Sequence, residues 1–215
     1  MVPLFARRPL PDTWIGWAMA VAAGLMLGAA YALFTAGFRT GTALAGAGGA
    51  GAGIAFVALT QVLFTTTDAG PESGHQRVLI DLLHAAPEGI AIGAALTVSP
   101  AFGAFLALAL GVHNVPEATV FATALVARGV RRRTAAMLAV LGNFNQVLFA
   151  VVTVAITTAA PALLPWAIGV ATGALVYLVM ADLLPDSYNR AGRTSIALVT
   201  IVAMGVVVLL AGGGS

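Results

Sequence analysis

Apolar residues run along this chain in long, nearly unbroken stretches, punctuated by proline, glycine and arginine. A helix that crosses a bilayer needs about 20 such residues, each adding about 1.5 Å. Seven stretches meet that length, near Trp14–Ala36, Thr42–Phe64, Val78–Val98, Ala101–Ala127, Thr134–Thr158, Ala162–Leu184 and Thr194–Ala211. The links between them are short, as at Ser99-Pro100 and Ala159 to Pro161, so consecutive spans are antiparallel neighbours. The expectation is an all-α integral membrane protein, a seven-transmembrane-helix bundle forming one domain over residues 1–215. The first thirteen residues, with Arg7 and Arg8 among Pro3, Pro9 and Pro11, lack the apolar core and cleavage site of a signal peptide.

Arginine placement gives the expected orientation, because cytoplasmic loops carry the excess of basic residues. With seven alternating spans, Arg7, Arg8, Arg77, Arg128, Arg131, Arg132, Arg133, Arg190 and Arg193 fall on one side and Arg39 on the other. The N-terminus is then cytoplasmic and the C-terminus outside. One span more or fewer would scramble this asymmetry.

Composition agrees. Of 215 residues 60% are hydrophobic and 8% charged, against roughly 25% charged in a soluble domain. So few charges cannot cover a water-exposed surface, which argues against a soluble enzyme, a nucleic-acid binder and a disordered chain. The sequence pI of about 9.7 reflects arginines at span edges, not a phosphate-binding face. The absence of cysteine removes thiolate ligands, thiol nucleophiles and disulfides. Glycine pairs at four-residue spacing, Gly24/Gly28, Gly49/Gly53, Gly89/Gly93 and Gly169/Gly173, let helix backbones approach closely. Packing within the chain is their ordinary use; a homodimer seam is the alternative.

Against this apolar ground, ionisable residues at mid-span stand out, since each costs at least about 2.5–3.5 kcal/mol to insert. Glu88 and Glu117 lie near the centres of the third and fourth spans. His84 and His113 each precede one of them by four residues, so each His/Glu pair shares one helix face. The segments His84-Ala85-Ala86-Pro87-Glu88-Gly89 and His113-Asn114-Val115-Pro116-Glu117-Ala118 form an imperfect repeat. Pro87 and Pro116 lack an amide hydrogen and press on the carbonyls of Leu83 and Val112, which kinks the helix and frees an oxygen. Two imidazoles, two carboxylates and Asn114 make a mixed nitrogen and oxygen donor set suited to zinc, iron, manganese or cobalt. Without thiolates such a site is moderate in affinity, as transport requires. The competing readings are buried His–Glu clamps and a proton relay without metal.

Other polar positions are weaker signals. Asn143, Asn145 and Gln146 cluster in the fifth span, where Asn145 either completes a coordination shell or the amides cross-link helices. Asp81 is either a step on an exit path or a partner of Arg77. Asp182 and Asp186, at the cytoplasmic end of the sixth span, either guide a departing cation or are simply solvated. Gln61 reads as a helix–helix hydrogen bond, and His75 lies in a polar loop.

The two motifs resemble those of the ZIP family of divalent-metal transporters. Leu82-Leu83-His84-Ala85-Ala86-Pro87-Glu88-Gly89-Ile90-Ala91-Ile92-Gly93 is similar to the family's fourth helix and His113-Asn114-Val115-Pro116-Glu117 to its fifth. Ala181-Asp182-Leu183-Leu184-Pro185-Asp186 resembles the acidic end of its seventh. The resemblance implies eight helices with both ends outside, a metal site between the fourth and fifth, and movement of metal into the cytoplasm. The seven spans then correspond to the second through eighth, with the first absent from this chain. Ala85 stands in place of the usual Asn, Asn145-Gln146 in place of a Glu-Pro pair, Ala118 in place of Gly and Ala181 in place of an acid. These departures favour one bound metal over two.

The expected activity is transport of zinc, with iron or manganese as alternatives, in a bacterial inner membrane. The expected metal ligands are His84, Glu88, His113, Asn114 and Glu117, with Asn145, Asp81 and Asp182 as auxiliaries. The partners are the transported ion and membrane lipid, with no cofactor, no nucleic acid and no enzymatic reaction. The rival readings are a relative that binds metal without transporting it and an intramembrane metal-dependent hydrolase. The second is disfavoured because neither motif reads His-Glu-x-x-His.

Overall fold

The computed structural model describes residues 11–65 and 74–212. The described residues are almost entirely helical, in the order α1 (Asp12–Thr40), α2 (Ala43–Thr65), α3 (Gly74–Val98), α4 (Pro100–Ala127), α5 (Arg132–Gly142), α6 (Phe144–Ala159), α7 (Leu164–Leu178), α8 (Leu184–Arg190) and α9 (Arg193–Gly212). Six stretches are long and apolar enough to cross a membrane: Asp12–Gly37, Ala43–Leu63, Pro100–Thr123, Arg132–Ala159, Pro161–Arg190 and Arg193–Gly212. The third expected span corresponds to α3, whose described apolar part is Ala85–Val98.

Local chemistry sets the helix ends. Thr42 Oγ1 accepts the amide of Ala45 at 3.3 Å and starts α2. Ser99 Oγ accepts the amide of Phe102 at 3.1 Å, with Pro100 in the first turn of α4, where its missing amide hydrogen costs nothing. At the end of α4, Gly129 takes φ +89°, and the amides of Gly129 and Val130 return to the carbonyls of Val126 and Leu125. Only glycine adopts that backbone without a Cβ penalty, and these two bonds close a Schellman turn.

Two of the expected spans are present but carry a local irregularity. Within Arg132–Ala159 the helix is interrupted for one residue, because α5 stops at Gly142 and α6 begins at Phe144. Glycine and asparagine are poor helix formers, and the break falls on that pair. The expected Ala162–Leu184 span opens with a 3-10 turn at Pro161–Leu163, widens to a π-helix at Val179–Leu183 and continues through α8 to Arg190. Pro185 lacks an amide hydrogen, and its ring would crowd the Ala181 carbonyl; the wide turn before it absorbs that conflict.

The burial pattern is that of a lipid-solvated protein. Fully buried positions are mostly small, such as Ala20, Ala22, Ala94, Ala95, Ala171 and Ala174. Many large side chains face out, with Leu44 80% exposed and Leu209 76%, while others such as Leu33, Leu106 and Leu175 are fully buried. Lipid tails are as apolar as leucine, so close backbone packing at small residues, and not apolar burial alone, brings these helices together.

The chain packs into two compact units. The first comprises Met1–Ala29, Leu108–Asn143 and Val179–Ser215. In it the N-terminal part of α1 lies on α9. A Cβ on Gly24 would meet Ala203 Cβ at 2.6 Å, and one on Gly28 would meet Val207 Cβ at 2.5 Å. Thr200 Oγ1 donates to the Ala20 carbonyl at 3.3 Å across the same seam. Arg190 holds Asp186 at 2.9 Å and Asp12 at 3.4 Å. Asp12 is 80% exposed, and exposed pairs of this kind contribute at most about 1 kcal/mol.

The second unit comprises Ala30–Ala107 and Phe144–Leu178. Two helix pairs form it. Gly49 and Gly53 of α2 face the backbone of Trp166 and Val170 in α7, while Gly169 and Gly173 of α7 face Gly46 and Ala50. Gly89 and Gly93 of α3 face Gln146, Phe149, Ala150 and Thr153 of α6. The hydroxyls of Thr97 and Thr157 meet at 2.8 Å toward the far end of α3 and α6. All four glycine pairs of the sequence are thus occupied by neighbouring helices of the same chain.

Candidate metal centre

Each unit carries one copy of the His-x-x-Pro-Glu repeat, and each copy is built differently. In the second unit Pro87 and Glu88 lie in the interior of α3. Glu88 is buried, 3% exposed, and its Oε2 accepts a hydrogen bond from Gln146 Nε2 of α6. Gly89 makes that contact possible. A Cβ there would stand 2.5 Å from the Gln146 carbonyl oxygen and 2.5 Å from Phe149 Cβ, so any larger residue would push α6 away. The glycine after the glutamate is therefore part of how the carboxylate is held.

In the first unit His113 is fully buried in α4, and its Nε2 lies 3.5 Å from Glu117 Oε1, one helical turn on. Asn114 is buried beside it, and the Glu117 side chain is one-third exposed. Pro116 sits within the same helix. Nearby, Thr119 Oγ1 donates to the Val115 carbonyl at 2.8 Å, which occupies one backbone acceptor next to the proline. An imidazole nitrogen and a carboxylate oxygen at this separation can take one cation together.

The remaining expected positions divide. The side chains of His84 and Asp81 lie outside the described residues. Asn145 is half-buried, and of the three amides in this region Gln146 is the one whose bond to Glu88 is seen. Asn143 sits at the break between α5 and α6. Asp182 is half-buried within the π-helix. Asp186 is paired with Arg190, whose Nε donates to both of its carboxylate oxygens, at 3.0 and 2.9 Å. Gln146 was legible as a polar residue in a span, but its partner was not. The signal was Gly89/Gly93, which marks the face of α3 that another helix approaches.

A polytopic all-α integral membrane protein, with a buried histidine, glutamate and asparagine at proline-bearing turns of its helices, is the class these features define. Residues 74–212, from the start of α3 to the end of α9, match the family described as ZIP Zinc transporter. The chain belongs to that family. It is 28% identical over 214 residues to a putative zinc transporter of Arabidopsis thaliana, covering 94% of this chain and 34% of the relative. It is 32% identical over 113 residues to the zinc transporter GufA of Myxococcus xanthus, covering 52% of this chain and 44% of the relative. The chain thus spans about a third and under half of the lengths of these two relatives.

Proposed function

We propose that this protein carries divalent first-row metal ions, zinc foremost, across the membrane toward the arginine-rich, cytoplasmic side. The observation that carries the reading is the burial of His113 and Glu88 at the two proline motifs. Burying such groups in lipid-solvated helices is costly, and a doubly charged cargo explains why both are retained. Membership of the zinc transporter family and the names of both relatives support the same cargo.

In this reading the ion exchanges hydration water for His84, Glu88, His113, Asn114 and Glu117, and leaves when one group of helices shifts against another. Asn145, Asp81 and Asp182 are auxiliaries along the way. An amide at Asn145, in place of an acid, favours a single bound ion. Metal ligands must shed protons to bind, so uptake falls as the pH is lowered into the range where histidine and carboxylates protonate. The reaction is movement of an ion, with no bond made or broken in a substrate. The proposed location is the inner membrane of a bacterium, as one of the two relatives is bacterial.

The direct test is flux. The purified chain in liposomes loaded with a zinc-sensitive dye should show saturable zinc influx that competes with iron or manganese and not with magnesium. Binding without flux would leave a metal-holding relative and remove the transporter.

Gln146 gives a finer prediction. It positions the Glu88 carboxylate without being a proposed ligand. Partners behind a metal ligand typically change affinity or activity about 10–100-fold when removed. Gln146→Leu should raise the zinc concentration for half-maximal uptake within that range, while Asn143→Leu, at an amide of the same region outside the proposed ligand set, should change it less. Equal effects would assign the ligand-holding role wrongly.

A further inference from the structure

The turn between α8 and α9, far in sequence from either proline motif, forms an open groove of about 790 Å³. Pro185, Tyr188, Asn189, Arg193 and Thr194 line one part of it, and Ala197 and Leu198 the other. The polar part offers a guanidinium, a phenol, an amide and a hydroxyl; the apolar part leads onto the outward face of α9, where Leu198 is 60% exposed and Ile201 and Val202 each 66%. None of the lining residues carries a carboxylate. The two arginines at this turn are in different states. Arg190 is committed to Asp186 and Asp12, whereas Arg193 makes no ion pair among the described residues.

A second observation sets the depth of this groove. Trp14 and Trp17 pack edge to face with ring centroids 5.9 Å apart, and Trp17 Nε1 lies 3.4 Å from Ser195 Oγ, two residues beyond Arg193. Both rings are exposed, at 62% and 39%. Exposed tryptophan in a membrane protein marks the headgroup layer. The start of α9 therefore sits where lipid phosphates are, with its apolar face continuing into the acyl region.

We propose that this groove seats the headgroup of an anionic phospholipid, its phosphate on Arg193 and Tyr188 and one acyl chain running along Leu198. A zwitterionic headgroup fits less well, because its ammonium would find no carboxylate in the groove. The ligand commits to lipid and not to free phosphate, because most of the groove's lining is apolar and it opens onto the outward face of α9, where Leu198 is exposed. The proposal is independent of metal transport.

Native mass spectrometry of the full chain in detergent tests it, with phosphatidylglycerol and phosphatidylcholine of identical acyl chains as probes. The unaltered protein should retain phosphatidylglycerol more tightly. One charge-assisted hydrogen bond corresponds to about a tenfold change in affinity or more, so Arg193→Gln should remove the preference by about that factor. Arg193→Lys should restore most of it, and Arg133→Gln, at an exposed arginine of α5, should leave it intact. Should Arg193→Gln fail to fold, Tyr188→Phe removes only a hydroxyl from the phosphate seat and should weaken phosphatidylglycerol a few-fold. A preference unchanged in Arg193→Gln, or phosphatidylglycerol retention unchanged in Tyr188→Phe, overturns the proposal. So does an equal loss in Arg133→Gln, or displacement of the lipid by inorganic phosphate at comparable concentration.

Discussion

Alanine at Glu88 or at Glu117 is expected to abolish saturable zinc or iron uptake, in cells or in proteoliposomes, with expression intact. Changes behind a metal ligand already cost about 10–100-fold, so loss of a proposed ligand should cost at least about 100-fold. The two positions differ in structural risk. Glu88 is buried and accepts the Gln146 amide, so Glu88→Ala also strands a buried donor, at about 1–3 kcal/mol. Glu88→Gln separates the effects, because it keeps an oxygen for Gln146 and removes only the charge. Glu117 is one-third exposed, so its replacement disturbs the fold less. Uptake that persists in Glu88→Gln and Glu117→Ala, with protein present in the membrane, would eliminate the proposed ligand set.

The second large effect concerns the scaffold. Gly173→Val should destabilise the second unit by about 3 kcal/mol or more, the upper end of what overpacking costs where side chains can still shift. Here no side chain can give way. A Cβ at Gly173 would stand 2.2 Å from the Ala50 carbonyl oxygen and 2.7 Å from its Cα, and a Cβ at Gly53 would stand 2.1 Å from the Val170 carbonyl oxygen. Backbone meets backbone, so α2 and α7 would have to separate. Gly51→Val supplies the control on α2, since a Cβ there meets nothing within 4 Å. Denaturation in detergent micelles should show a clear drop in midpoint for Gly173→Val and little for Gly51→Val. Similar midpoints for the two would mean that the glycine contact does not hold these helices together.

Much of the architecture was legible because membrane helices are specified locally. Apolar length located the six stretches long enough to cross a membrane, and Ser99 and Pro100 set one helix start through chemistry confined to a few residues. The proline motifs were legible for the same reason, as residues four apart on a helix share a face whatever the helix packs against. His113 and Glu117 at 3.5 Å follow from that spacing. The break at Asn143 and the π-helix before Pro185 were not legible. Glycine, asparagine and proline are common in membrane helices, and whether they interrupt one depends on what surrounds them.

Sequence by itself determined that this chain is a helical membrane protein with two copies of one His-x-x-Pro-Glu element, because hydropathy and helical period are properties of short segments. Tertiary structure decided the pairings: α2 with α7, α3 with α6, α1 with α9, and Gln146 as the amide that reaches Glu88. In an apolar solvent many faces are equally greasy, so hydrophobicity does not choose among them. The choice falls to where small residues let two backbones touch, and that is a property of two helices in register.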